Sequence, residues 1–287
     1  MSIQVAVASG KGGTGKTTLA VCLAHALAER GERVTYVDCD VEEPNGHIFL
    51  RPTFEHRRPV RVLVPSMDTD GCSGCGRCSE FCQFNAIVSL RDRVLVLPDL
   101  CHGCGGCVLV CGERALREVP HEIGAVELGR AGGIDFVHGT LTVGKPLAVP
   151  VIRAAREAVP DGGTVIIDAP PGTSCPPVEA VRGVDHVILV AEPTPFGLHD
   201  LRLAVRMVRE LGLDASVVVN RSDAGGKGVR EYASGEGLPI IAEMREDRAV
   251  AEAYARGELP YGASSGFRTA VDRVAGWVMD GSGGMER

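Results

Sequence analysis

Gly10-Lys11-Gly12-Gly13-Thr14-Gly15-Lys16-Thr17 decides the fold of this 287-residue chain. The octet fits G-x-x-x-x-G-K-[ST] in the context that motif needs. The apolar run Ile3–Ala8 precedes it as a strand, and Thr17–Glu29 follows with Leu19, Ala20, Leu23, Ala26 and Leu27 at helical spacing. The glycines let backbone N–H groups curl around a β-phosphate, and the helix N-terminus adds positive potential. Lys16 reaches the β- and γ-phosphates, while the Thr17 hydroxyl, followed by Thr18, suits Mg²⁺. Gly31 closes the helix as a C-cap and Arg33–Asp38 is the next strand, so the chain opens as a βαβ unit.

Further apolar runs at Ile134–Val137, Thr164–Asp168, Val187–Ala191, Ser216–Asn220 and Pro239–Ala242 read as strands. Helical stretches at Pro146–Ala158, His199–Leu211 and Asp247–Arg256 lie between several of them, with an amphipathic packing helix at Phe267–Met279. The alternation predicts an α/β fold, a three-layer domain around a mostly parallel sheet. Between about 65 and 118 it breaks into Cys- and Gly-rich sequence with one hairpin, Ile87–Leu90 and Val94–Leu97 about Arg91-Asp92-Arg93. The expected organisation is therefore 1–64 and 119–287 as two parts of one domain, with 65–118 as a small inserted α+β domain.

The net charge of −7 argues against a general nucleic-acid binder, which needs a basic surface. No apolar run reaches a membrane span, Ser9-Gly10-Lys11 interrupts any leader-like stretch, and the last helix lacks the basic face of membrane-surface helices, so a cytoplasmic location is expected. Eleven cysteines in that setting point to metal or redox chemistry before disulfides. Eight of them form two runs, Cys72, Cys75, Cys78, Cys82 and Cys101, Cys104, Cys107, Cys111, each spaced C-x2-C-x2-C-x3-C and offset by 29 residues. Soft thiolates on tight glycine loops suit cubane clusters; zinc, which Cys-x-x-Cys pairs also bind, is the alternative. Cys22 and Cys39 read as small core residues.

The cysteine runs resemble those of two-cluster ferredoxins, with Gln83 and Gly112 where a proline is usual. In that pattern the fourth cysteine crosses over. The resemblance implies one [4Fe–4S] cluster on Cys72, Cys75, Cys78 and Cys111, and another on Cys101, Cys104, Cys107 and Cys82.

Lys11–Thr18 resembles the deviant Walker A loop of the MinD/ParA/nitrogenase iron protein superfamily. With Cys39–Asn45, Asp168–Pro176 and Glu192–Asp200, nearly the whole chain is similar to MinD-superfamily ATPases that contain an inserted ferredoxin domain. The resemblance implies ATP and Mg²⁺ sandwiched in a homodimer, with Lys11 crossing to the facing subunit's nucleotide. It further implies that Asp40 orients the attacking water, Asp38 lies near Mg²⁺, Asp168 holds Mg²⁺ through water, the Gly172 N–H senses the γ-phosphate and Asn220 reads adenine. By residue type alone, Lys11 also reads as a solvated loop lysine, Asp38 and Asp40 as caps and Asn220 as a strand-end turn. Relatives place a cluster-binding cysteine near Cys175, which here has no near partner in sequence.

An ATP-gated electron carrier serving a redox partner is the leading expectation. An ATP-dependent cluster scaffold or carrier of the related Mrp type, delivering to an Fe–S client, is the alternative. A ParA/MinD-like positioning ATPase is weakened by the acidic charge.

Overall fold

The computed structural model describes residues 2–90 and 93–281. Its first half runs β1 (Ile3–Ala8), α1 (Lys16–Glu29), β2 (Val34–Asp38), α2 (Gly46–Leu50), β3 (Thr53–Met67), α3 (Arg77–Phe81), β4 (Ile87–Leu90), β5 (Arg93–Val96), α4 (Gly106–Leu109), β6 (Leu116–Ala131) and β7 (Ile134–Leu141). The second half alternates regularly: α5 (Ala148–Glu157), β8 (Thr164–Asp168), α6 (Cys175–Val181), β9 (His186–Ala191), α7 (Pro195–Glu210), β10 (Ala215–Val219), α8 (Gly228–Gly235), β11 (Ile240–Glu243), α9 (Arg248–Ala255) and α10 (Ser265–Met279).

Nine strands form one sheet in the order β11-β10-β9-β1-β8-β2-β7-β6-β3. Pairings from β11 to β7 are parallel, and the last two, β7 with β6 and β6 with β3, are antiparallel. The central strands are apolar throughout because both faces are covered. Ala6, Val37, Val165, Ile167 and Leu189 pack under α5, α6 and α7. The alternate positions Val5, Val7, Tyr36, Ile166 and Ile188 pack under α1 and α10. Phe267, Val271, Val274, Ala275 and Val278 are buried on α10, as expected of a packing helix.

Register brings the site together. Val7 and Asp38 both pair with Asp168, so the phosphate loop after β1 and the acids ending β2 and β8 meet at the carboxyl edge of the sheet.

Most divergence from the sequence reading lies at β3 and β6, which form a 15- and 16-residue antiparallel arm. Neither was expected, because Thr53–Pro59 is exposed and charged and β6 alternates poorly. Residues 68–115 hang from this arm: Met67 and Leu116 are cross-strand partners, and the chain between them folds on a small core of Cys78, Ile87, Cys107 and Leu116. The β4–β5 hairpin is present, while Arg91-Asp92 of its turn lies outside the described residues. Partner β6 also carries β7 on to Leu141, beyond the expected Val137. Helix α7 starts four residues before His199, because the Thr194 Oγ1 accepts the Gly197 N–H at 3.0 Å and Pro195 occupies the first turn. Among the described residues no helix is long and apolar enough to cross a membrane.

Candidate functional site

A cleft of ≈ 420 Å³ opens over the phosphate loop. Gly12, Gly13, Gly15, Lys16, Thr17 and Thr18 line it, together with Asp40, Pro171, Asn220, Arg221, Tyr254 and Phe267. Gly13 and Gly15 have φ of 76° and 94°, the left-handed conformation that frees their N–H groups to line a concave loop. Gly10 is a glycine for a different reason: a Cβ there would land on the Asp200 carbonyl of α7. Asn220 donates its Nδ2–H to the Thr14 carbonyl at 2.8 Å, so it grips the loop while bordering the cleft.

Asp168 and Asp40 bear on Lys16, and Asp38 stands beside both acids. Asp38 is fully buried, and its oxygens accept the Asp40 N–H at 3.2 Å and the Gly46 N–H at 2.9 Å, pinning the loop after β2. Asp168 accepts the Tyr36 hydroxyl at 3.0 Å on Oδ2, while its buried Oδ1 has no hydrogen-bond partner among the described residues. Burial and the nearby Asp168 push Asp38 well above the ordinary carboxylate range, while burial takes Asp168 to about 6 against the opposing pull of Thr17, Lys16 and Tyr36. Burial, with Asp168 nearby, takes Asp40 to about 6. Burial pulls Lys16 down, against the opposing pull of Asp168 and Asp40. Excess buried carboxylate with an orphaned oxygen is a donor set that fits a divalent cation beside Thr17.

Lys11 lies outside the cleft lining. Its Nζ pairs with Glu192 Oε2 at 3.0 Å, and Arg221 Nη1 pairs with Oε1 of the same carboxylate at 2.8 Å. Gly172, with φ of 96°, donates its N–H to the Ser9 carbonyl at 3.0 Å, tying the segment after β8 to the end of β1. Sequence reasoning missed Tyr36, Glu192 and Arg221. Tyr36 had a signal, since a tyrosine in a fully buried strand needs a hydroxyl partner. The Glu192–Arg221 pairing had none, because it joins two strand ends.

The eight clustered cysteines fall into two groups. Cys72, Cys75, Cys78 and Cys111 surround a narrow cleft of ≈ 20 Å³ with Met67, Gly76, Val94 and Ala115. Cys82, Cys101, Cys104 and Cys107 line a cavity of ≈ 330 Å³ with Phe81, Phe84 and Ile87. Backbone geometry repeats with the sequence: Gly74 and Gly76 match Gly103 and Gly105 in positive φ, and Asn85 matches Arg114. Cys78 and Cys107 are buried and Cys75 and Cys104 exposed. Burial raises the Cys78, Cys101 and Cys107 thiols, Cys107 to about 11. No three His, Cys, Asp or Glu side chains among the described residues converge as the ligands of a single metal ion. Cys22 and Cys39 are core thiols held protonated by burial, and Cys175 is exposed at the start of α6.

The chain is 28% identical over 293 residues to an uncharacterised protein of Methanocaldococcus jannaschii, covering 96% of this chain and 98% of that protein. It is 24% identical over 265 residues to an iron-sulfur cluster carrier protein of Pyrococcus horikoshii, covering 87% and 76%. Its fold is like that of the septum site-determining protein MinD of Pyrococcus horikoshii, solved with Mg-ADP, at a TM-score of 0.62 and 18% identity over 98% of each chain. The sequence profile of the CobQ/CobB/MinD/ParA nucleotide binding domain matches residues 5–261. With the phosphate loop, the paired acids and the sheet order in place, the chain belongs to that family and has the fold of its MinD/ParA-type ATPases.

Proposed function

We propose that the chain is an ATP-gated electron carrier in which residues 65–118 form an inserted ferredoxin-like domain. The observation that carries this reading is the grouping of cysteines: each set takes three members from one run and its fourth from the other. That exchange, on a soft donor set with repeated glycine geometry, fits two [4Fe–4S] clusters better than separated zinc pairs. Bound there, the clusters supply one-electron storage and transfer.

On the nucleotide side, Gly10–Thr18 holds the phosphates of ATP, and Thr17 and Asp168 hold Mg²⁺, with Asp38 close by. Asp40 orients the attacking water, Gly172 exchanges Ser9 for the γ-phosphate, and Asn220 borders the base. Two subunits close over the nucleotide, and Lys11 neutralises phosphate charge across the interface.

A second reading, ATP-dependent cluster delivery to a client, is favoured by the relative named as a cluster carrier. Anaerobic reconstitution and chemical reduction, followed by incubation under ATP turnover with an apo-ferredoxin as cluster acceptor and, in parallel, with a cluster-loaded oxidised ferredoxin as electron acceptor, separate the two. Clusters retained and electrons passed support the carrier of electrons; iron and sulfide moved to the acceptor overturn it in favour of delivery.

A further inference from the structure

Lys145 is one of only four lysines in the chain and lies outside both sites described above. Its side chain is 13% exposed, and its ammonium donates to Asp99 Oδ1 and to His121 Nε2, the latter at 2.8 Å. The His121 Nε2 is also 3.2 Å from the same Asp99 oxygen. An ammonium so far withdrawn from water needs a fixed anionic partner, and Asp99 provides it from the cysteine-bearing segment. Asp99 sits in the short turn Pro98–Leu100, whose Pro98 carbonyl accepts the Cys101 N–H at 3.1 Å.

The other end of Lys145 leads directly to the nucleotide site. The Leu141 N–H donates to the Val41 carbonyl at 2.7 Å, in the loop that follows Asp40. From Leu141 the chain passes through one turn, closed by Lys145 N–H to the Thr142 carbonyl at 3.1 Å. Three residues after Lys145, α5 begins at Ala148, which with Ile152 lines a cavity of ≈ 240 Å³ shared with Asp40, Glu43, Pro170 and Pro171. The loops after β2 and β8 therefore bear on α5 and on the end of β7, and Lys145 lies on the connection between those two elements.

We propose that Lys145 is a positioning residue that links the nucleotide loops to the Cys101 loop, through Asp99, with His121 steadying the ammonium. A displacement of Val41 or of the α5 N-terminus moves Lys145, and its pairing with the exposed Asp99 moves Asp99 and Cys101 with it. The linkage itself depends only on nucleotide binding. Its consequence for electron transfer rests on the proposed function.

The test is amide hydrogen exchange on the full chain, anaerobically reconstituted, with and without a non-hydrolysable Mg-ATP analogue, alongside cluster midpoint potentials. Wild type and Lys145→Arg are expected to show an exchange response of about fivefold at Asp99–Cys104. Lys145→Met and the milder Asp99→Asn, at an exposed position, lose it while binding the analogue equally. An undiminished response in Lys145→Met, or none in wild type, overturns the linkage. If the segment responds through Lys145 while potentials stay fixed, the linkage stands and electron gating fails. If potentials shift equally in Lys145→Met and its exchange response is undiminished, gating stands and the linkage fails.

Discussion

Lys11 Nζ lies 3.0 Å from Glu192 Oε2, so the lysine proposed to act across a dimer is held within its own subunit. Glu192 is largely buried and also binds Arg221, which keeps the carboxylate in place when Lys11 leaves. In the proposed dimer, closure therefore exchanges one anion for another, the carboxylate for a phosphate. Lys11→Ala is expected to lower ATP hydrolysis about a thousandfold, the lower end for charge supplied in trans, and to abolish analogue-dependent dimers in sedimentation velocity. Glu192→Gln removes the competing anion and is expected to dimerise at lower analogue concentration than wild type.

Gly10 and Gly106 both lack room for a Cβ, with opposite consequences. At Gly10 the obstacle is the Asp200 backbone; at Gly106 it is the ring of Phe81, which is 47% exposed and free to turn. Gly10→Ala is expected to cost about 1–3 kcal/mol in urea unfolding and to weaken nucleotide binding. Gly106→Ala is expected to change stability by less than about 1 kcal/mol.

The proposed crossing of the fourth cysteine assigns each fourth-position variant to the cluster of the other run. Cys111→Ser is expected to disturb the cluster of Cys72, Cys75 and Cys78, although those residues lie on the other run. Iron is expected to fall from about eight to about four per chain, with one EPR signal retained. Cys82→Ser is expected to remove the other signal.

Burial pulls the His186 imidazole down to about 4; its Nε2 is 3.1 Å from the Ser216 hydroxyl and its ring packs on Trp277. The unfolded chain takes up this proton near pH ~6.5. The stability from keeping the ring neutral is therefore complete above that pH and is lost as pH falls toward 4. Burial and His47 place His138 at about 4 in the same way. Each histidine is expected to withdraw about 1–3 kcal/mol over this window, and His186→Gln to flatten the urea midpoint's dependence on pH.

The nucleotide half of the molecule was legible because its signals are local. The strand before Gly10, the helix after Lys16 and the apolar runs of β8, β9 and β10 each fix an element from adjacent residues. Asp38 and Asp168 were legible as strand-end acids, but their adjacency came from sheet register. The long β3–β6 arm was not legible: an edge strand carrying His56, Arg57 and Arg58 is stabilised by its partner, not by an apolar period of its own. For the same reason Lys145 gave no sign, since Asp99 and His121 reach it from distant parts of the sequence. The cysteine repeat raised the expectation of metal chemistry, whereas the small core beneath it emerged only from the fold.

An EPR-monitored redox titration of the reconstituted chain, with and without MgATP, tests the central claim most directly. The account predicts two [4Fe–4S] signals, at least one shifting its midpoint by about 50–100 mV with MgATP, equivalent to ~1–2 kcal/mol per electron. Midpoints unchanged by MgATP, or a reconstituted protein without two such clusters, would contradict it.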